Sequence, residues 1–342
     1  MKKTVDIFIP CADGAVADAI ASQFTKSTAT RGIYFLTDKE LESDKWAVLN
    51  IHGIASTDTM RLVAETANAD YVLLITKPTP LFISEGALER MTHVATDAWA
   101  AMLYADHYEK KTVGGRTVTE KHPAIDYQLG SIRDDFDFGS LLLIRTALLK
   151  KWAAQLQSSY QYAGLYDLRL FLSREGELLH LDELLYTEEE YDLRASGVKQ
   201  FDYVNPANRE VQVEMERVAT AHLKEIGALV DTSAFRTVDF DEQTFETEAS
   251  VIIPVYNRVK TIRDAVESAL QQKTTFKFNV MVVDNHSTDG TTAILEELAS
   301  LHPELVHIRP ERTDLGIGGC WNMAVNDACC GRFVVQLDSD DL

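Results

Sequence analysis

Close to the carboxyl terminus of the 342-residue chain, an apolar run ends in Leu337-Asp338-Ser339-Asp340-Asp341. Carboxylates this dense repel one another unless a cation or hydrogen-bond donors compensate them. Hard oxygen ligands in this pattern suit Mg²⁺ or Mn²⁺, with a substrate diphosphate completing the shell. The motif alone also reads as a solvated acidic turn or a helix N-cap, where Asp is favoured anyway. Two other apolar runs end in polar groups. Val251-Ile252-Ile253-Pro254 continues into Val255-Tyr256-Asn257-Arg258, and Val280-Met281-Val282-Val283 runs into Asp284-Asn285-His286-Ser287-Thr288-Asp289. Parallel neighbours would bring Tyr256, Asn257, Asp284, Asp289, Asp338 and Asp340 to one rim, where open α/β sheets bind ligands. Tyr256 can lie against a base there, and a carboxylate can accept from a base N–H or a ribose hydroxyl. A metal would offset the charge of both partners.

The elements that must position these groups are strands alternating with helices. Val5–Pro10, Ile33–Leu36 and Tyr71–Ile75 are apolar runs that read as buried strands, with a helix over Ala15–Phe24. The pattern predicts an α/β fold with a mainly parallel sheet covered on both faces. Further strands are expected over Trp99–Tyr104 and Gly139–Ile144, and a helix over Thr146–Leu156. Between Asn205 and Val230 the apolar residues fall at helical spacing, a packing helix with one buried stripe. The acidic stretch from Asp231 to Glu248 reads as a connector.

After the connector the opening pattern returns. Ser250-Val251-Ile252-Ile253-Pro254 matches Asp6-Ile7-Phe8-Ile9-Pro10, and Gly331–Leu337 matches Ala69–Ile75. The second copy is longer, by a segment spanning roughly Asn285 to His302. The chain therefore reads as two copies of one α/β unit. The expected division is 1–198, a connector over 199–248, and 249–342. The second copy stops just past its last strand, which implies an uncovered sheet edge and a longer native chain.

Composition narrows the function classes. The formal charge is −20, with 33 Lys and Arg against 53 Asp and Glu. Such a surface repels nucleic acid and anionic lipid alike. No apolar run approaches the length of a transmembrane segment. Four cysteines, three of them clustered, are too few for a disulfide framework, so a cytoplasmic location is expected. Gly316-Ile317-Gly318-Gly319 follows no clear first strand, which argues against a dinucleotide-binding loop. Cys320, Cys329 and Cys330 lack a second ligand pair and read as small core thiols.

The ordered run of Val251–Arg258, Val283–Thr291, Leu315-Gly316 with Trp321-Asn322, and Leu337–Asp341 resembles the family 2 glycosyltransferases of the GT-A fold. That resemblance implies a nucleotide-sugar donor, commonly a UDP-sugar, a divalent Mn²⁺ or Mg²⁺, and inverting transfer to a hydroxyl of a glycan or lipid-linked acceptor. It implies that Pro254, Tyr256 and Asn257 form the first nucleotide-binding strand end, with Asp284 on the base and Asp289 in the same loop. Gly316 and Asn322 fall in a third donor-binding motif. Asp338 faces the ribose and the metal, and Asp340 the metal. Trp321 departs from the pattern, since many members carry Arg beside the asparagine. In the family the base that deprotonates the acceptor follows the acidic strand end, so the second copy offers none.

The first copy resembles the same family unevenly. Phe138–Arg145, Ala163–Arg169 and His180–Tyr186 resemble its acceptor-side half, which implies that Asp167 occupies the position of the catalytic base; a helix N-terminal acid is the alternative. Its nucleotide half is eroded. Thr76-Lys77-Pro78 stand opposite Asp338-Ser339-Asp340, and Ala12-Asp13 opposite Tyr256-Asn257. Lys77 could hold a phosphate as a point charge without metal. The expectation is a degenerate first module that scaffolds or binds acceptor and a second that carries the donor site. The rivals are a non-catalytic binding protein of the same fold and a nucleotidyltransferase. The latter would need a glycine-rich basic loop after the first strand, where Tyr256-Asn257-Arg258-Val259-Lys260-Thr261 has no glycine.

Overall fold

The computed structural model describes residues 3–41, 43–114, 116–189, 209–236 and 245–342. They form two compact units, Met1–Asp231 and Thr232–Leu342. The sequence-derived limit at 198/199 and part of the acidic connector lie outside the described residues.

The first unit begins β1 (Val5–Pro10), α1 (Gly14–Phe24), β2 (Thr30–Thr37), β3 (Ala47–Asn50), α2 (Thr57–Thr66), β4 (Tyr71–Ile75). Then come β5 (Leu81–Ile83), α3 (Ala87–Asp97), β6 (Met102–Val113), β7 (Arg116–His122), β8 (Leu141–Arg145), α4 (Thr146–Gln155), α5 (Gly164–Glu175), β9 (Leu178–Glu189) and α6 (Arg209–Glu225). One sheet runs β3-β2-β1-β4-β8-β6-β9-β5, with β7 on β6. Its first four strands are parallel, and β8 joins β4 antiparallel. All six residues of β1 are buried, because its alternate side chains enter cores on both faces. Val5, Ile7 and Ile9 pack with α1 and α3, and Phe8 packs with α2, α4 and α5.

The second unit has β10 (Ala249–Val255), α7 (Ile262–Leu270), β11 (Phe278–Asp284), α8 (Thr291–Leu301), β12 (Leu305–Ile308), α9 (Gly316–Val325) and β13 (Phe333–Gln336). Its parallel sheet runs β12-β11-β10-β13, the same order as β3-β2-β1-β4. Asp6 pairs with Val72 and Ser250 with Val334, which is the register of the sequence match. Helix α8 fills the segment that makes the second copy longer; β2 and β3 are joined without a helix.

Several limits differ from the sequence reading. The strand expected at Trp99 starts at Met102 and runs on through polar residues to Val113, because it is long enough to pair with both β7 and β9. Helix α6, placed by sequence in the connector, packs on the first unit, with Val218 against Ala163, Tyr166 and Leu170. Among the described residues no helix is long and apolar enough to cross a membrane.

Candidate functional site

In the second unit the carboxyl ends of β10, β11 and β13 open onto a cleft of about 370 Å³. Parallel pairing sets Val255 beside Asp284, so the loops after both strands meet. They are fastened side chain to backbone. Asn257 Oδ1 accepts from the Thr288 amide at 2.8 Å, and Asp289 accepts from the amides of Val259 and Thr291, each at 3.0 Å. Asn257 and His286 take left-handed backbone, with φ of 53° and 63°, a conformation Asn tolerates better than most residues.

The acids expected to act together separate into two kinds. Asp338 and Asp340 line the cleft with Pro254, Tyr256 and Gly316. Tyr256 is 57% exposed, an open ring face at the mouth. Between the two acids, Ser339 is buried and its carbonyl accepts from the Thr261 hydroxyl at 2.9 Å. That bond pins the turn and leaves the flanking carboxylates at the rim. The Arg258 guanidinium stands 4.0 Å from Asp340.

Asp284, Asp289, Asn257 and Asn322 do not line the cleft. Asp284 is fully buried, and its oxygens accept from the Ser287 amide at 2.9 Å and the Thr292 hydroxyl at 2.5 Å. Burial alone would raise its pKa, but these donors hold it below the usual carboxylate range. Asp284, expected on the base, thus has its oxygens engaged within the loop, whereas its neighbour Asn285 lines the cleft. The Asn285 Oδ1 is buried without a hydrogen-bond partner among the described residues. Sequence reasoning missed it, although successive residues of a strand end face opposite ways. Asn322 is exposed on α9 and accepts from Asn326 Nδ2 at 3.2 Å, and Trp321 packs against the core of this unit.

The two rim carboxylates fit a divalent ion. Among the described residues no cluster of three or more His, Cys, Asp or Glu could hold a metal by itself. One or two carboxylates with substrate phosphates completing the shell is the usual arrangement for Mg²⁺.

The matching strand end of the first unit has different chemistry. Lys77 Nζ lies 2.6 Å from Glu188, which also accepts from the Ser140 hydroxyl and lies 3.5 Å from His107. Burial opposes ionisation of Glu188, yet these partners bring its pKa down to about 2. Lys77 is thus engaged in a buried pair, which counts against its reading as a phosphate ligand. Beside it lies a cavity of about 810 Å³, onto which α5 presents Leu165, Tyr166 and Arg169. Asp167 is not among its walls; it faces a separate pocket with Trp152 and Arg174. The Trp152 indole donates to it at 2.7 Å, while burial pushes its pKa up. Asp167, expected at the base position, thus stands apart from the cavity that Tyr166 lines, because one residue along a helix turns the side chain by about 100°.

The family model described as glycosyl transferase family 2 matches residues 250–342. A chondroitin synthase of Escherichia coli is 33% identical over 171 residues, 50% of this chain and 21% of the relative. An uncharacterized glycosyltransferase of Rickettsia felis is 37% identical over 98 residues, 28% of this chain and 15% of the relative. The matches thus span about a fifth or less of these curated relatives. The crystal structure of S. aureus TarS 1-349 in complex with UDP-GlcNAc gives a TM-score of 0.46 at 13% identity, covering 67% of this chain and 68% of that one.

Proposed function

We propose, from the match of residues 250–342 to the glycosyl transferase family 2 model, that the second unit binds a nucleotide-sugar donor, a UDP-sugar, for glycosyl transfer. The observation that carries this reading is that Asp338, Asp340 and Tyr256 line one cleft. Tyr256 stacks on the base, Asn285 offers its amide to the base edge, and Asp338 reaches the ribose. Asp338 and Asp340 hold Mn²⁺ or Mg²⁺, which supplies charge neutralisation for the departing diphosphate. Arg258, close to Asp340, adds a second cation toward the phosphates. The sugar passes with inversion to a hydroxyl of a glycan or lipid-linked acceptor. The similarity to a chondroitin synthase favours a polysaccharide as that acceptor.

The first unit is read as a degenerate copy of the same module. It shares the strand order of the second unit, but its metal ligands are replaced by Thr76-Lys77-Pro78, and α5 presents no carboxylate to the neighbouring cavity. This favours acceptor binding or scaffolding over a second transferase centre.

Isothermal titration of UDP in the presence of Mn²⁺ tests the reading. The intact chain binds, Asp340→Asn weakens binding at least about tenfold, the scale on which even outer partners of a metal ligand count, and Asp167→Asn binds normally. Unchanged affinity in Asp340→Asn, or loss in Asp167→Asn, refutes it.

A further inference from the structure

The first unit has another concavity at the opposite end of β4 from Thr76. Its volume is about 450 Å³, and its walls include Lys3, Asp70, Trp99, Arg145, Thr146 and Lys150. Helix α4 starts here. No side chain caps it and its first turn holds no acid; the Thr146 amide donates to the Asp70 carbonyl at 3.1 Å, and the positive pole of the dipole meets no acid of the helix's own first turn. Thr146, the first helical residue, is only 5% exposed, and its hydroxyl has no hydrogen-bond partner among the described residues. A buried hydroxyl is seldom left so unless something completes it.

The fixed charges point the same way. Arg145 donates to the carbonyls of Ala100 at 3.1 Å and Ala95 at 3.2 Å, and it lies against the rings of Tyr71 and Trp99. These contacts fix the guanidinium without cancelling its charge. Lys150 is exposed one turn along the same helix face as Thr146. The one acid in the walls, Asp70, is engaged by Lys3 at 2.8 Å and by the Thr4 amide at 3.0 Å. In a chain of formal charge −20, a cavity with surplus cations is a local exception.

Trp99 supplies an apolar wall. It is 78% exposed and held at φ 54°, left-handed backbone that is strained for a bulky residue. Arg145 covers one face of its ring at 5.1 Å, and the exposed remainder offers a flat surface for a ring with apolar faces. The geometry points to a binding site for an acidic saccharide. Its anionic group sits at the amino end of α4 between Arg145 and Lys150, and its sugar ring lies on Trp99. This site is separate from the donor cleft and does not depend on that cleft's assignment.

Calorimetric titration of the full chain at low salt tests it with three probes: a uronate-containing disaccharide, its neutral methyl ester, and inorganic phosphate. The acid is expected to bind at least tenfold more tightly than the ester. Lys150→Glu and Trp99→Ala each weaken it at least tenfold without shifting the melting temperature, and Asp340→Asn leaves it unchanged. Equal binding of acid and ester, or wild-type affinity in Lys150→Glu, overturns the site. Binding of phosphate without the disaccharide overturns its saccharide assignment.

Discussion

Neighbouring residues of like chemistry have unlike duties here. Asp284 closes a loop and Asn285 lines the cleft; Asp338 and Asp340 stand at the rim while Ser339 between them is buried. The sequence made the strand-end clustering legible, because apolar runs that stop in Asp and Asn mark ligand-binding strand ends. It did not show which acids were already engaged, because that depends on how the loops fold: Asp284 takes its donors from Ser287 and Thr292 in its own loop, and Asp289 takes one from Val259, 30 residues away. The Lys77–Glu188 pair was hidden for the same reason, its partners lying 111 residues apart. That pair makes a prediction. The pKa of Glu188 lies near 2 in the folded chain against an ordinary 4.5, so its carboxylate stabilises the fold above pH 4.5. The contribution fades as pH falls from there toward 2, and amounts to about 3 kcal/mol at neutral pH. Glu188→Gln therefore lowers the melting temperature at pH 7, where it also strands Lys77. Thermal melts should show the difference from wild type shrinking toward pH 3; a difference independent of pH contradicts the assignment.

At the scale of elements, the parallel strands were the most readable part. β4 is a continuous apolar run, and β1 and β11 are nearly so, because both their faces are covered. The strands β6 and β9 were harder to delimit, since their outer halves are polar and held by each other's backbone. Contacts between helices were not readable at all. Helix α5 approaches α2 so closely at Gly164 that an added Cβ would lie 2.2 Å from the Thr57 amide nitrogen. Backbone cannot yield as a flexible side chain does. Gly164→Ala should therefore destabilise the first unit by about 3 kcal/mol, read from denaturant unfolding. It should leave the affinity for UDP and Mn²⁺ unchanged, since that cleft is built wholly from second-unit residues. Wild-type stability in this variant would contradict the close packing of α2 and α5.

Over the whole molecule, two units share one strand order and have diverged in what stands at their strand ends. Each has its own cores, on both faces of its own sheet. In the second unit the outer strand β13 leaves Val334 and Val335 about half exposed, whereas the matching β4 is buried and paired with β8. On the proposed reading, two carboxylates and a diphosphate repel one another unless a cation lies between them. The most direct measurement is a crystal structure of the chain grown with Mn²⁺ and a UDP-sugar, with manganese located by anomalous scattering. The account predicts one manganese peak bridging Asp338, Asp340 and the diphosphate, with the uracil against Tyr256. A peak elsewhere, or a bound donor whose phosphates lie away from those two aspartates, would contradict it.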